Sequence, residues 1–187
     1  MKPRDTDRLT FRYVTPDDAA LLHALNHAPG VMTYLQRVPP TLDEVVTSTI
    51  PGRMQIAIDH PGYGMWLAFS RSSGEFVGRF SLRPFGSEPG EIEIGYGLMP
   101  SFWGMGLASE ASRELLRYAF EELNANRFVA ITMFVNTPSR KVMERIGLKH
   151  VRTFHEHFED PLPGTEKGEV EYALTREEWL TRPSQPG

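Results

Sequence analysis

The chain has 187 residues, 40% apolar and 24% charged, with 20 Lys and Arg against 24 Asp and Glu for a formal net charge of −4. These proportions suit one globular domain spanning 1–187, and the slight acidity argues against non-specific binding to nucleic acid or to an anionic membrane. No Cys is present, which excludes disulfides, Cys–zinc sites and thiolate nucleophiles, and a cytoplasmic setting is expected.

Leu9, Phe11 and Tyr13 alternate with Thr10 and Arg12, the pattern of a half-buried strand. Thr15-Pro16-Asp17-Asp18 offers a cap, a first-turn proline and two acids for a helix over Ala19–His27, which Pro29-Gly30 stops. Thr41-Leu-Asp-Glu44 has capping-box spacing and opens a helix expected to end before Pro51-Gly52. Met65–Ser70 and Glu75–Arg83 read as strands joined by a turn at Arg71–Gly74, with Glu91–Leu98 as a third. Leu107, Ala108, Ala111, Leu115, Tyr118 and Ala119 recur at helical spacing in a helix running to about Leu123. Arg127–Val135 is apolar on both faces, as in a covered central strand. Thr137-Pro138 starts a short helix ending at Gly147, and strands near Leu148–Phe158 and Glu169–Leu174 flank a loop holding Pro161, Pro163 and Gly164. Thr175–Trp179 adds a last turn. The order β-α-α-β-β-β-α-β-α-β-β indicates an α/β (α+β) mixed sheet with helices on its faces, a core over about 7–180 and a flexible tail over 181–187. No stretch is long and apolar enough to span a membrane, and Met1-Lys2-Pro3-Arg4-Asp5 has no apolar run behind it to make a signal peptide.

The most informative segment runs from Tyr96 to Ala111. A strand ends, a loop follows, and Gly104 and Gly106 bracket one residue at the first turn of an amphipathic helix. Backbone N–H groups and the positive helix end converge there, and glycines let an anion approach the backbone, so a diphosphate is the expected guest. Two glycines could equally serve turn geometry alone. No Gly-x4-Gly-Lys-Ser/Thr string occurs, and Gly104-Met-Gly106-Leu-Ala-Ser109 puts Ser where a dinucleotide fingerprint needs Gly or Ala.

Trp103-Gly-Met-Gly-Leu-Ala-Ser-Glu-Ala111, preceded by Glu93-Ile-Gly-Tyr-Gly-Leu98, resembles the acetyl-CoA loop of GNAT N-acetyltransferases. Asn136-Thr-Pro-Ser139 through Gly147-Leu148 is similar to that family's Asn-x-x-Ser…Gly-Phe segment, and Arg8–Arg12, Pro16–Asp18 and Val31–Tyr34 also match. The resemblance covers roughly residues 7–175. It is greatest to the branch containing the ribosomal-protein alanine N-acetyltransferases, and it implies a mixed, mostly antiparallel central sheet flanked by helices. It also implies that Gly104, Met105, Gly106, Leu107, Ala108 and Ser109 hold the coenzyme diphosphate. Trp103 stands where the family usually has Gln or Arg, which removes a side-chain donor. Tyr96, Gly97 and Leu98 would line the pantetheine and acetyl group through their backbone, and Asn136 would bond the pantetheine. Asn136 also reads as an ordinary strand-ending Asn before a helix cap.

Acetyl transfer to an amine needs a neutral nucleophile, a donor for the developing oxyanion and a proton for the departing thiolate. Glu93, in an otherwise apolar strand beside the proposed acetyl site, is the candidate base; Glu91 shares its strand face, so both could instead be solvated. Many members place a Tyr acid seven residues after the Asn, but that position is Met143, and the strand glutamate some members use is Ile131. Ser139 is the remaining candidate at the thiol. His155 and His157, on one strand face, are candidates at the acceptor side, while His23 and His27 lack the intervening Glu of a zinc motif, so no metal is expected. The expected activity is direct acetyl transfer from acetyl-CoA to a primary amine. The amine is a protein N-terminal α-amine or a small cationic one, a lean toward charge that rests on Glu156, Glu159, Asp160, Glu166 and Glu169. A catalytically inactive acyl-CoA-binding module, a longer acyl donor and a homodimer stay open.

Overall fold

The computed structural model describes residues 1–36 and 38–182. Its strands are β1 (Leu9–Tyr13), β2 (Gly64–Ser70), β3 (Phe76–Pro84), β4 (Glu91–Leu98), β5 (Arg127–Met133), β6 (Lys149–Phe154) and β7 (Glu169–Thr175). Its helices are α1 (Ala19–His27), α2 (Leu42–Glu44), α3 (Ile50–Asp59), α4 (Leu107–Glu121), α5 (Thr137–Arg145) and α6 (Arg176–Thr181). The strands form a single seven-stranded sheet in the order β1-β2-β3-β4-β5-β7-β6. Every pair is antiparallel except β4 with β5, whose connection carries α4 across one face, as parallel neighbours require.

Alternation along the strands gives the sheet two covered faces. Trp66, Phe80, Leu82, Ile92, Ile94 and Phe128 pack beneath Leu107, Ala111, Leu115, Tyr118 and Ala119 of α4. Met65 and Leu67 face the other way, into a second cluster with Val14, Ala19, Leu22, Val45 and Ile50. Arg12 and buried Asp18 form a bidentate pair at 2.6 and 2.7 Å that fastens β1 to the start of α1.

Where β3 meets the end of β4 the two backbones come unusually close. A Cβ on Gly78 would lie 2.7 Å from Leu98 Cα and would collide with Gly97 O. Gly78→Ala is therefore expected to destabilise the fold by about 1–3 kcal/mol, read as a lower urea midpoint; an unchanged midpoint contradicts this close approach.

The structure departs from the sequence reading in four places. Thr41 and Glu44 do form a capping box, with Thr41 N–H donating to Glu44 at 2.7 Å and Glu44 N–H returning to Thr41 at 3.2 Å. Pro51-Gly52, however, does not end the helix. A π-helical turn over Val45–Thr49 leads into α3, and the Ile50 N–H reaches five residues back to Val45 O. This wider turn absorbs the N–H that Pro51 lacks and relieves the clash its ring would make with a preceding carbonyl. The third strand pair of the C-terminal half is also shorter than expected. β6 stops at Phe154 because that residue already faces Glu169, the first residue of β7, leaving 155–158 nothing to pair with. β5 ends at Met133, where Asn136 N–H turns back to Met133 O at 2.9 Å. Thr181 closes α6, so it does not belong to a tail, and 183–187 lie outside the described residues.

Candidate active site

β4 and β5 pair only over Glu91–Glu93 and Arg127–Val129. Beyond those residues β4 stays bonded to β3 and β5 to β7, so the parallel strands splay apart. A cavity of about 910 Å³ opens in the gap, lined by Ile94–Leu98 from one side and by Ile131, Thr132 and Asn136 from the other. Met99 N–H bonds to Val77 O at 2.9 Å. By strand alternation the Leu98 N–H then faces the opposite edge, into the gap.

The loop above the gap delivers the chain to α4. Gly104 and Gly106 have φ of +75° and +78°, a left-handed conformation that side chains resist, and nothing lies within 4 Å of a Cβ built on Gly104. The first N–H groups of α4, at Leu107, Ala108 and Ser109, have no partner within the helix. Ser109 Oγ is buried without a hydrogen-bond partner beside them. Open space over a left-handed glycine, unspent N–H groups and an orphaned hydroxyl fit a diphosphate. Met105 is exposed, and its carbonyl accepts from Arg8 Nη1 at 2.9 Å. Arg8 is also ion-paired with Glu110 at 2.6 Å, which ties the loop to β1. Trp103 still carries a donor, but its indole N–H goes to Leu98 O at 2.8 Å, bracing the strand end rather than facing the anion site.

Across the gap, Ser139 Oγ and Tyr96 Oη are 2.8 Å apart. Asn136 Oδ1 accepts from Ser139 N–H at 3.3 Å while its amide donates to Thr132 Oγ1 at 2.9 Å, so the Asn side chain caps α5 and fixes Ser139. Burial pushes the Tyr96 hydroxyl up to about 12, against a smaller opposing effect of the Ser139 hydrogen bond. A protonated phenol thus reaches the cavity from β4, while Met143 is buried core. From the sequence, Tyr96 is expected to contribute its backbone alone. The available signal was its alternation with Ile92 and Ile94.

Glu93 is 9% exposed and ion-paired with Arg83 at 2.7 Å, a partner the sequence reading did not include. Glu91 is separate, paired with Arg127 at 3.3 Å. The β3–β4 register sets Arg83 opposite Glu93, Ser81 opposite Gly95 and Arg79 opposite Gly97, all on one face. Arg53 joins them from α3. Burial, and then the charge of Arg53, lowers the Arg79 guanidinium to about 10. Arg53 is lowered by burial and then by Arg83, with Glu93 opposing. Arg79-x-Ser81-x-Arg83 alternates plainly in the sequence, and its side facing was the missed signal.

The candidate acceptor histidines stand apart. His155 and His157 are exposed in the segment after β6, outside the cavity lining, and His155 Nε2 lies 3.3 Å from Glu166 O. The His23 and His27 rings lie 4.0 Å apart on α1. Among the described residues, no group of three or more His, Asp or Glu could hold a metal, and no helix is long and apolar enough to cross a membrane.

The model of the acetyltransferase (GNAT) domain matches residues 8–149. The chain is 39% identical over 163 residues to the FsC-acetyl coenzyme A-N(2)-transacetylase of Aspergillus fumigatus, covering 83% of this chain and 68% of that protein. A GNAT-family acetyltransferase structure from Bacillus anthracis superposes with a TM-score of 0.76 at 25% identity, over 93% of this chain and 98% of that one. The ribosomal L7/L12 alpha-N-protein acetyltransferase RimL, solved with coenzyme A, shares the fold at a TM-score of 0.77 and 21% identity, over 92% of this chain and 97% of that one. A matched domain over most of the chain, a splayed parallel pair and a helix start with unspent N–H groups agree on one conclusion: the chain belongs to the GNAT family and is an acetyl-CoA-dependent N-acetyltransferase.

Proposed function

We propose that the chain acetylates a primary amine by direct attack, with coenzyme and acceptor held together in the gap between β4 and β5. The observation that carries this reading is the meeting of three kinds of group in one cavity: the Glu93 carboxylate, the Tyr96–Ser139 hydroxyl pair and the edge N–H of Leu98. Gly104–Ser109 hold the diphosphate, with Met105 offering backbone alone. Acetyl-CoA, when bound, supplies the activated acetyl group. Glu93, directly or through one water, takes the ammonium proton, so that the amine is neutral when the N–C bond forms and the C–S bond breaks. The Leu98 N–H donates to the oxygen that gains charge. The Tyr96 hydroxyl gives its proton to the departing sulfur and regains one from the nitrogen, which sheds its second proton as the amide forms; Ser139 Oγ and Asn136 hold the phenol in place.

Tyr96→Phe is expected to lower kcat about tenfold to a hundredfold, with coenzyme affinity unchanged. Because burial pushes the Tyr96 hydroxyl up to about 12, kcat at saturating acceptor should not fall through loss of this proton until well past pH 10. A wild-type rate in Tyr96→Phe contradicts the assignment. Initial-rate kinetics test direct transfer: double-reciprocal lines for acetyl-CoA and amine should intersect, whereas parallel lines would mean that an acetylated enzyme forms first.

A further inference from the structure

Resting on the acetyltransferase reading of this site, we propose that the acceptor is an amino carboxylate, with its acid group bound by Arg79 and Arg53 while its amine faces the acetyl position. The chain carries a net charge of −4, yet the wall of the cavity opposite the coenzyme loop holds three arginines, Arg53, Arg79 and Arg83, against the single acid Glu93. Only Arg83 is neutralised there, by its 2.7 Å pair with Glu93. The guanidinium groups of Arg79 and Arg53 make no hydrogen bond or ion pair among the described residues, in contrast to that of Arg83. Both are partly buried and shifted down by burial, Arg79 further by Arg53 and Arg53 further by Arg83, as like charges crowded on one wall. Holding such charges together is costly unless an anion completes the site.

The register also fixes where that anion would sit. Arg79 faces Gly97, and its Nε is 3.9 Å from the place a Gly97 Cβ would occupy. Gly97 adjoins Leu98, whose N–H marks the acetyl position. The anionic group therefore lies only a few bonds from the reacting amine, the spacing of an α- or β-amino acid. A guanidinium fork matches a carboxylate in shape as well as charge. The same positive wall favours the neutral form of the bound amine, which is the form that attacks. A purely cationic acceptor would meet repulsion here. The acids that favoured one in the sequence, Glu156, Glu159, Asp160, Glu166 and Glu169, all lie outside this cavity's lining.

The test is calorimetric titration of the CoA-loaded protein with matched pairs, methionine against methioninamide and phenylalanine against phenylalaninamide, with spermidine as the cationic arm. The carboxylate member of each pair should bind at least about tenfold more tightly than its amide. Arg79→Gln should abolish that preference and Arg79→Lys restore part of it, with CoA affinity as in the wild type and, because the repulsion with Arg53 is relieved, a thermal midpoint of Arg79→Gln no lower than the wild type's. Amides or spermidine binding as tightly as the carboxylates overturn the proposal, as does a preference that survives Arg79→Gln or an absence of binding by every carboxylate. Equal loss of turnover for acid and amide in Arg79→Gln also overturns it, because Arg79 would then serve the reacting carbonyl. Failure of CoA itself to load the protein would instead bring down the coenzyme site, and this inference with it.

Discussion

Gly104→Glu is expected to weaken coenzyme binding at least about tenfold, a loss of roughly 1.4 kcal/mol or more. The substitution sets a carboxylate where the first N–H groups of α4 and its positive end converge, so it competes with the diphosphate for the same donors. It also forces a side chain into the left-handed conformation, at φ +75°, that Gly104 adopts. The open space around a Cβ there means the side chain has room and the fold survives. The readout is the Kd for CoA by titration, with a thermal melt as the control for folding. An unchanged Kd would remove the diphosphate from this loop.

Glu93→Gln is expected to lower kcat about a hundredfold, the usual contribution of a positioned base. Glutamine keeps the shape and one hydrogen-bonding oxygen for Arg83 but cannot take a proton. Arg83 is about half exposed, so losing its ion pair leaves no buried orphan charge and costs little stability. Glu93 also faces away from α4, on the sheet side covered by α1–α3, so coenzyme Kd should not move. Stopped-time product assays across pH separate the effects: reduced turnover with intact CoA binding supports the base, and wild-type turnover at every pH removes it.

What the sequence made legible was whatever is local along the chain. Strand alternation in Leu9–Tyr13 and Glu91–Leu98 and the helical spacing of Leu107–Ala119 located these elements, and the glycines before Leu107 marked the left-handed turn into α4, because each signal spans only a few neighbours. Pro51 misled for the opposite reason. A proline is a local helix-breaking signal, and the π turn at Val45–Thr49 that accommodates it depends on Val45 and Ile50 being buried against Met65 and Leu67. The length of β6 was likewise not local, because it is set by where β7 begins. The acceptor side was hardest to read. Arg53 arrives from α3, Arg79 and Arg83 from β3 and Glu93 from β4, and only the β3–β4 register together with the packing of α3 on the sheet brings them into one place. Tyr96 and Ser139, 43 residues apart, meet across the gap because α5 carries Ser139 over it from the end of β5.

The measurement that bears most directly on this account is calorimetric titration of the wild-type chain with acetyl-CoA, CoA and ATP in parallel. Binding of acetyl-CoA and CoA in the micromolar range, with none by ATP, is the expected result: the Gly104–Ser109 loop holds the diphosphate, and the gap between β4 and β5 holds the pantetheine arm that ATP lacks. Absence of binding at high micromolar acetyl-CoA, or equal binding of ATP, would contradict it.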